Sequence, residues 1–131
     1  MSRKLPKYLS ELPVYKKAME IWVLSRSIST YLNYDLSGIN SKGEEDPHIY
    51  FSGDIVQQST SLGDEIINAA LEPLQENRDK HFMSLNRLTE NLYDNCSRLE
   101  KANSKSVDYL SLLKVELRKF NKLQRHWMMT L

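Results

Sequence analysis

The chain has 131 residues, of which 40% are hydrophobic and 27% charged, and its formal net charge is +1. That length and apolar content fit one domain with a real core. The single Cys96 excludes an intrachain disulfide, and no stretch approaches the roughly 20 apolar residues that span a bilayer.

Four Gly and four Pro leave long runs free of either, which favours helices. The apolar run after Lys16-Lys17 is short and broken by Glu20, so it is no signal peptide, and the chain reads as cytoplasmic. Charge is unevenly spread. Residues 1 to 34 hold six cations against two acids, residues 105 to 131 the same, and the middle is therefore at −7. Two basic ends around an acidic middle fit polyanion binding, head-to-tail pairing in an oligomer, or a solvated mixed surface.

Residues 1 to 12 form a basic lead-in, with Ser10 placed to cap the first helix and Pro13 in its first turn. That helix is expected over 13–34. Val14, Ala18, Ile21, Trp22, Ser25, Ile28 and Leu32 recur at steps of three and four, one stripe of a 3.6-residue period. Met19, Val23 and Tyr31 lie off that stripe and are also apolar. One face then packs inside the chain and another against a second chain, which makes these three the expected oligomer interface.

Residues 35–52 carry Ser37-Gly38, Lys42-Gly43, Asp46-Pro47 and Ser52-Gly53, the chemistry of turns, and are expected as a long loop. Ile49, Tyr50 and Phe51 suit its end to docking on the helices. A second helix is expected over 53–72, with Ile55, Ser59, Leu62, Ile66, Ala69 or Ala70, and Leu74 as its stripe. Ser59, Ala69 and Ala70 permit close approach, and Pro73 ends or kinks the helix, with Gln75 to Arg78 as the turn. A third helix is expected over 79–102, where Phe82, Leu85, Leu88, Leu92, Cys96 and Leu99 share a stripe. Cys96 is thus a small core residue. A fourth is expected over 106–128, after a turn at Asn103-Ser104-Lys105, with a near-heptad seam of Leu110, Leu113, Leu117, Phe120 and Trp127.

Short second and third connections make sequential helices antiparallel neighbours. The expected fold is all-α, an up-down-up-down four-helix bundle with its core centred on Trp22, Leu62, Leu92, Leu113 and Phe120.

No catalytic or metal chemistry stands out. The single Glu-x-x-His match, Glu45-Asp46-Pro47-His48, sits in the loop and is broken by Pro. There is no Gly-x-Ser-x-Gly motif and no phosphate loop. Asp64-Glu65 and Glu44-Glu45-Asp46 read as surface and loop charges, and His81, beside Asp79, as a solvated or carbonyl-bound histidine. No catalytic residue, metal, cofactor or small-molecule substrate is therefore expected. Binding has more to carry it. Lys114, Arg118, Lys122 and Arg125 form one basic strip beside the seam of the last helix, with Lys119 adjacent and the pair Lys16-Lys17 on the first. Such a strip can track phosphates and would give salt-sensitive, largely sequence-independent affinity.

The segments LPVYKKAMEIWVLSRSISTYL, IVQQSTSLGDEIINAAL and DKHFMSLNRLTENLYDNCSRLEKA, taken in order, resemble a family of small four-helix bundles. These are the rRNA intervening-sequence proteins, with the accessory variability determinant proteins of diversity-generating retroelements. The resemblance spans about residues 12 to 128 and is best over Lys80 to Ala102. It implies a homopentameric barrel and, in the retroelement branch, association with a reverse transcriptase and its template RNA. Two readings follow: an oligomeric accessory protein that binds RNA or a reverse transcriptase, or a structural, protein-interaction bundle without nucleic-acid contact.

Overall fold

The computed structural model describes residues 5–36, 48–102 and 107–131. Every regular element among them is an α-helix: α1 Lys7–Ser10, α2 Pro13–Leu36, α3 His48–Leu71, α4 Gln75–Ala102 and α5 Val107–Met128. α2 packs on α3 and α5, and α4 packs on the same two, so the four long helices close around one core as a helical bundle.

The lead-in holds a short helix that the apolar pattern does not announce. The Ser10 hydroxyl donates to the Lys7 carbonyl at 2.9 Å, so Ser10 closes α1 instead of capping α2. This single turn buries Leu9. α2 starts from the Leu12 carbonyl, which accepts the Lys16 N–H at 2.9 Å. Pro13 stands at its first position, where no N–H is needed.

The expected 35–52 loop is shorter at both ends, because Asp35 and Leu36 still belong to α2 and His48 to Ser52 are already in α3. A glycine such as Gly53 costs only about 1 kcal/mol inside a helix, which a 24-residue element tolerates. Residues 37–47, residues 103–106, where a turn is expected, and the side chains of Ile49, Tyr50 and Phe51 lie outside the described set.

Pro73 stops α3, as its missing N–H requires, but Gln75 to Arg78 are the first turn of α4 and not the connection. The link is Glu72 to Leu74 alone. Glu72 satisfies this corner from both ends. Its carboxylate accepts the Leu74 N–H at 3.2 Å, and its carbonyl accepts from the Arg78 guanidinium at 3.2 Å. The Leu74 carbonyl in turn takes the Arg78 N–H at 3.0 Å. Glu76 places a carboxylate in the first turn, where the exposed N–H groups favour it.

Ile21, Ile28, Leu62, Leu92, Leu113 and Phe120 are fully or almost fully buried. Trp22, expected at the core centre, is only half-buried, and the Arg26 guanidinium covers its ring at 4.9 Å. One residue is about 100° of helix turn, so Ile21 on the stripe's axis turns Trp22 to the flank. Cys96 is buried among leucines, as its stripe predicts. Trp127 closes one end of the core edge-to-face against Phe82, at 5.6 Å between centroids.

α2 and α3 approach closely at small residues. The Ser25 and Ser59 hydroxyls meet at 2.7 Å in the buried seam. A Cβ on Gly63 would lie 2.7 Å from Cε of Met19, so α3 leaves room there for the methionine of α2. α2 and α5 are clasped by charge. The Lys17 ammonium donates to Glu20 at 2.6 Å and to Glu116 at 2.8 Å, and Glu116 also accepts from Lys119 at 3.2 Å.

Candidate nucleic-acid interface

Six of the seven cations singled out in the sequence fall into two groups, and Arg118 stands between them. Lys17 and Lys119 share the Glu116 carboxylate. Lys114 lies 3.4 Å from Glu100 and 4.8 Å from the centre of the Tyr93 ring. These three are largely neutralised inside the bundle's own ion pairs. The side chains of Lys16, Lys122 and Arg125 are exposed and have no hydrogen-bond or ion-pair partner among the described residues. Arg118 is intermediate: exposed, yet donating to the Tyr93 hydroxyl at 2.7 Å with its guanidinium 5.6 Å from the ring.

The basic strip of α5 is thus divided along its length. Its start, at Lys114, is turned onto α4 and occupied. Its end, Arg118, Lys122 and Arg125, faces solvent. Helical spacing predicts the shared face but not the division, because Glu100, Tyr93 and Glu116 come from other turns and other helices.

Arg118 and Arg125 border a groove of about 660 Å³ between α4 and α5. Asn86, Glu90, Tyr93 and Asp94 form its α4 wall, and Asn121 and Met128 complete the α5 wall. Thr89 and Leu117, both buried, lie at its base. The Gln124 amide, fully buried, donates to Oδ1 of Asn86 and so fixes that side chain at the rim. The sequence reading missed this groove. Its one legible signal was the four-residue spacing of Glu90 and Asp94, which puts two acids on one helical face.

The three expected interface residues are differently placed. Met19 is half-buried against Gly63 of its own chain. Tyr31 is 40% exposed, with its ring 5.4 Å from that of Tyr109 on α5. Val23 is 57% exposed. It sits in an open hollow of about 630 Å³ on the outer side of α2, with Tyr15, Met19 and Leu24. The second apolar face of α2 is therefore partly covered within the chain, by α3 at Met19 and by α5 at Tyr31.

Burial pushes the Cys96 thiol up to about 12, and the nearby Glu100 charge acts in the same direction. A thiol held protonated in this way is no nucleophile at neutral pH. His81 reaches across to the Glu65 carboxylate of α3, 3.1 Å from Nδ1, and not to its sequence neighbour Asp79. Among the described residues no cluster of His, Cys, Asp and Glu could hold a metal ion, and no helix is long and apolar enough to cross a membrane.

These features define the class as an all-helical bundle with a divided basic strip and a mixed-charge groove. No family model, curated protein or solved structure matches the chain.

Proposed function

We propose that the protein is a non-enzymatic accessory bundle of the cytoplasm that binds RNA through α5 and acts beside a reverse transcriptase. This is the role that the resemblance to retroelement accessory proteins implies. The carrying observation is the solvent-facing end of the α5 strip, where Lys122 and Arg125 have no partner among the described residues and Arg118 remains exposed. Cations without internal partners can neutralise phosphates without first breaking an ion pair.

In this reading the four long helices run up-down-up-down. Ser25–Ser59 with Met19–Gly63, Glu65–His81 with Gln58–Asn95, and Tyr93–Arg118 with Asn86–Gln124 support alternating directions, since within each helix pair the partner number falls as the other rises. Copies assemble as a homopentamer through the outer side of α2, with the exposed Val23 as the support for that contact.

A salt titration of RNA binding tests the proposal. Each phosphate contact on a single strand contributes about 0.7 to the log–log slope. Replacing Arg118, Lys122 and Arg125 together by Ala is expected to flatten the slope by about 2. An unchanged slope removes α5 from the account. Light scattering at micromolar concentration tests the assembly, and a monomer mass defeats it.

The second reading is a structural protein-interaction bundle without nucleic-acid contact. The apolar hollow around Val23 favours it. Absence of RNA binding at low salt, together with a stable oligomer, would select it.

A further inference from the structure

We propose that the groove between α4 and α5 selects a guanine nucleotide, presented by unpaired RNA or free in solution. The inference rests on the RNA-binding reading above and adds the base that the site prefers.

The groove has walls of opposite charge. Glu90 and Asp94 stand on the α4 side, Arg118 and Arg125 on the α5 side. Opposite charges that border one groove can pair with each other directly. Here, among the described residues, the side chains of Glu90, Asp94, Asn121 and Arg125 have no hydrogen-bond or ion-pair partner, and the Arg118 guanidinium bonds to Tyr93. Spare acceptors therefore line one wall and spare donors the other, across a gap of about 660 Å³ that they do not bridge themselves.

A ligand that satisfies both walls needs adjacent donors on one edge and an anion at the other end. Guanine is the base that fits. Its N1–H and N2–H₂ are neighbouring donors, which one carboxylate accepts as a pair. Adenine and cytosine each set a ring-nitrogen acceptor beside their amino group, and uracil flanks its one N–H with two carbonyls. Each of these places an acceptor against the carboxylate. The Asn86 amide adds to the fit. Its Oδ1 is taken by Gln124, which leaves Nδ2 free to donate to guanine O6 or N7. The phosphate then falls to Arg125, whose planar fork suits phosphate oxygens. Rejection of the other bases comes from the carboxylates left unpaired against them.

Fluorescence anisotropy on the full chain tests this with three labelled ten-nucleotide RNAs. One is all adenine, one has a single central guanine, and one has inosine there, which lacks the N2 amino group. The guanine RNA is expected to bind about tenfold more tightly than the other two, the discrimination typical of one bidentate base contact. The pair of substitutions Glu90→Gln and Asp94→Asn is expected to abolish that preference while leaving the adenine RNA bound at least as well. Both positions are exposed, and a thermal melt checks that the fold is kept. Competition by GMP alone supports the proposal with the free nucleotide as source. Guanine preference without GMP competition supports it with RNA as source.

Equal affinity for all three RNAs, weakened in each by Arg125→Ala, overturns the guanine proposal and leaves the RNA reading standing. No binding of any RNA, and none of GMP, overturns both. Binding of an arginine-bearing peptide, with neither GMP nor RNA bound, also overturns it and gives the acidic wall a different occupant.

Discussion

Ser25 of α2 and Ser59 of α3 touch hydroxyl to hydroxyl at 2.7 Å, both fully buried, in the seam between the two helices. Ser59 also bonds the Ile55 carbonyl of its own helix at 2.7 Å. Its proton is thereby committed, and Ser25 must be the donor between the two. Ser59→Ala removes the acceptor and strands a buried hydroxyl, which costs about 1–3 kcal/mol. Replacing both serines by Ala leaves nothing stranded and is expected to cost less than the sum of the single changes. Urea unfolding of the double-mutant cycle measures this, and strict additivity would mean that the two hydroxyls do not depend on each other.

Gly63 carries a different kind of closeness. The atom that a new Cβ would meet is the terminal methyl of Met19, the far end of a flexible side chain. Alanine gains about 1 kcal/mol in helix propensity, and Met19 can swing to yield. Gly63→Ala is therefore expected to raise the melting temperature by a few degrees. Gly63→Val adds a second branch at the same place and is expected to lower it. A fall for alanine as well would show that Met19 is locked by its neighbours.

The clasp between Lys17 and Glu116 gives stability a defined pH dependence. The hydrogen bond from Lys17 holds the Glu116 carboxyl below its ordinary range, with that from Lys119 adding to it. The Glu116 contribution is therefore present above the usual carboxylate range and lost as acid drives the pH down through the lowered value. The hydrogen bond to Glu116, then that to Glu20, raises Lys17 above its ordinary value. Its contribution is present below that ordinary value and lost as the pH climbs through the raised one. The clasp is thus constant near neutrality and fails at both extremes. Partly solvated pairs of this kind contribute up to about 1 kcal/mol. Glu116→Gln is expected to cost about that much at pH 7 and nothing in strong acid. Urea midpoints at the two pH values check it, and an equal loss at both would assign the effect to packing.

Cys96 provides a probe of global opening. With its thiol buried and pushed up to about 12, alkylation at pH 8 is expected only through unfolding. The rate should rise steeply with urea and match that of a free thiol above the unfolding midpoint. Fast labelling in native buffer would contradict the buried placement.

The apolar period by itself determined most of the helical register. The stripes of α2, α3, α4 and α5 put Ile21, Leu62, Leu92, Leu113, Phe120 and Cys96 inside, because burial follows a 3.6-residue repeat that can be read without knowing the partner helix. Pro73 likewise fixed the end of α3, since a missing N–H is a local fact. Capping was less legible. Ser10 had the right chemistry for the start of α2 but spends its hydroxyl on Lys7, and Glu72 closes a corner three residues long. Both depend on how the chain bends back.

Only the tertiary structure decided which charges are spent. Lys17, Lys114 and Lys119 look the same in sequence as Lys122 and Arg125, yet the first three find Glu116 or Glu100 and the last two find no partner among the described residues. Lys17 and Glu116 stand 99 positions apart, and Tyr93 and Arg118 stand 25 apart. Periodicity reports which face of its own helix a residue occupies. It carries no information about which acid, ring or amide the neighbouring helix sets opposite, and that meeting separates a structural cation from one still free to bind.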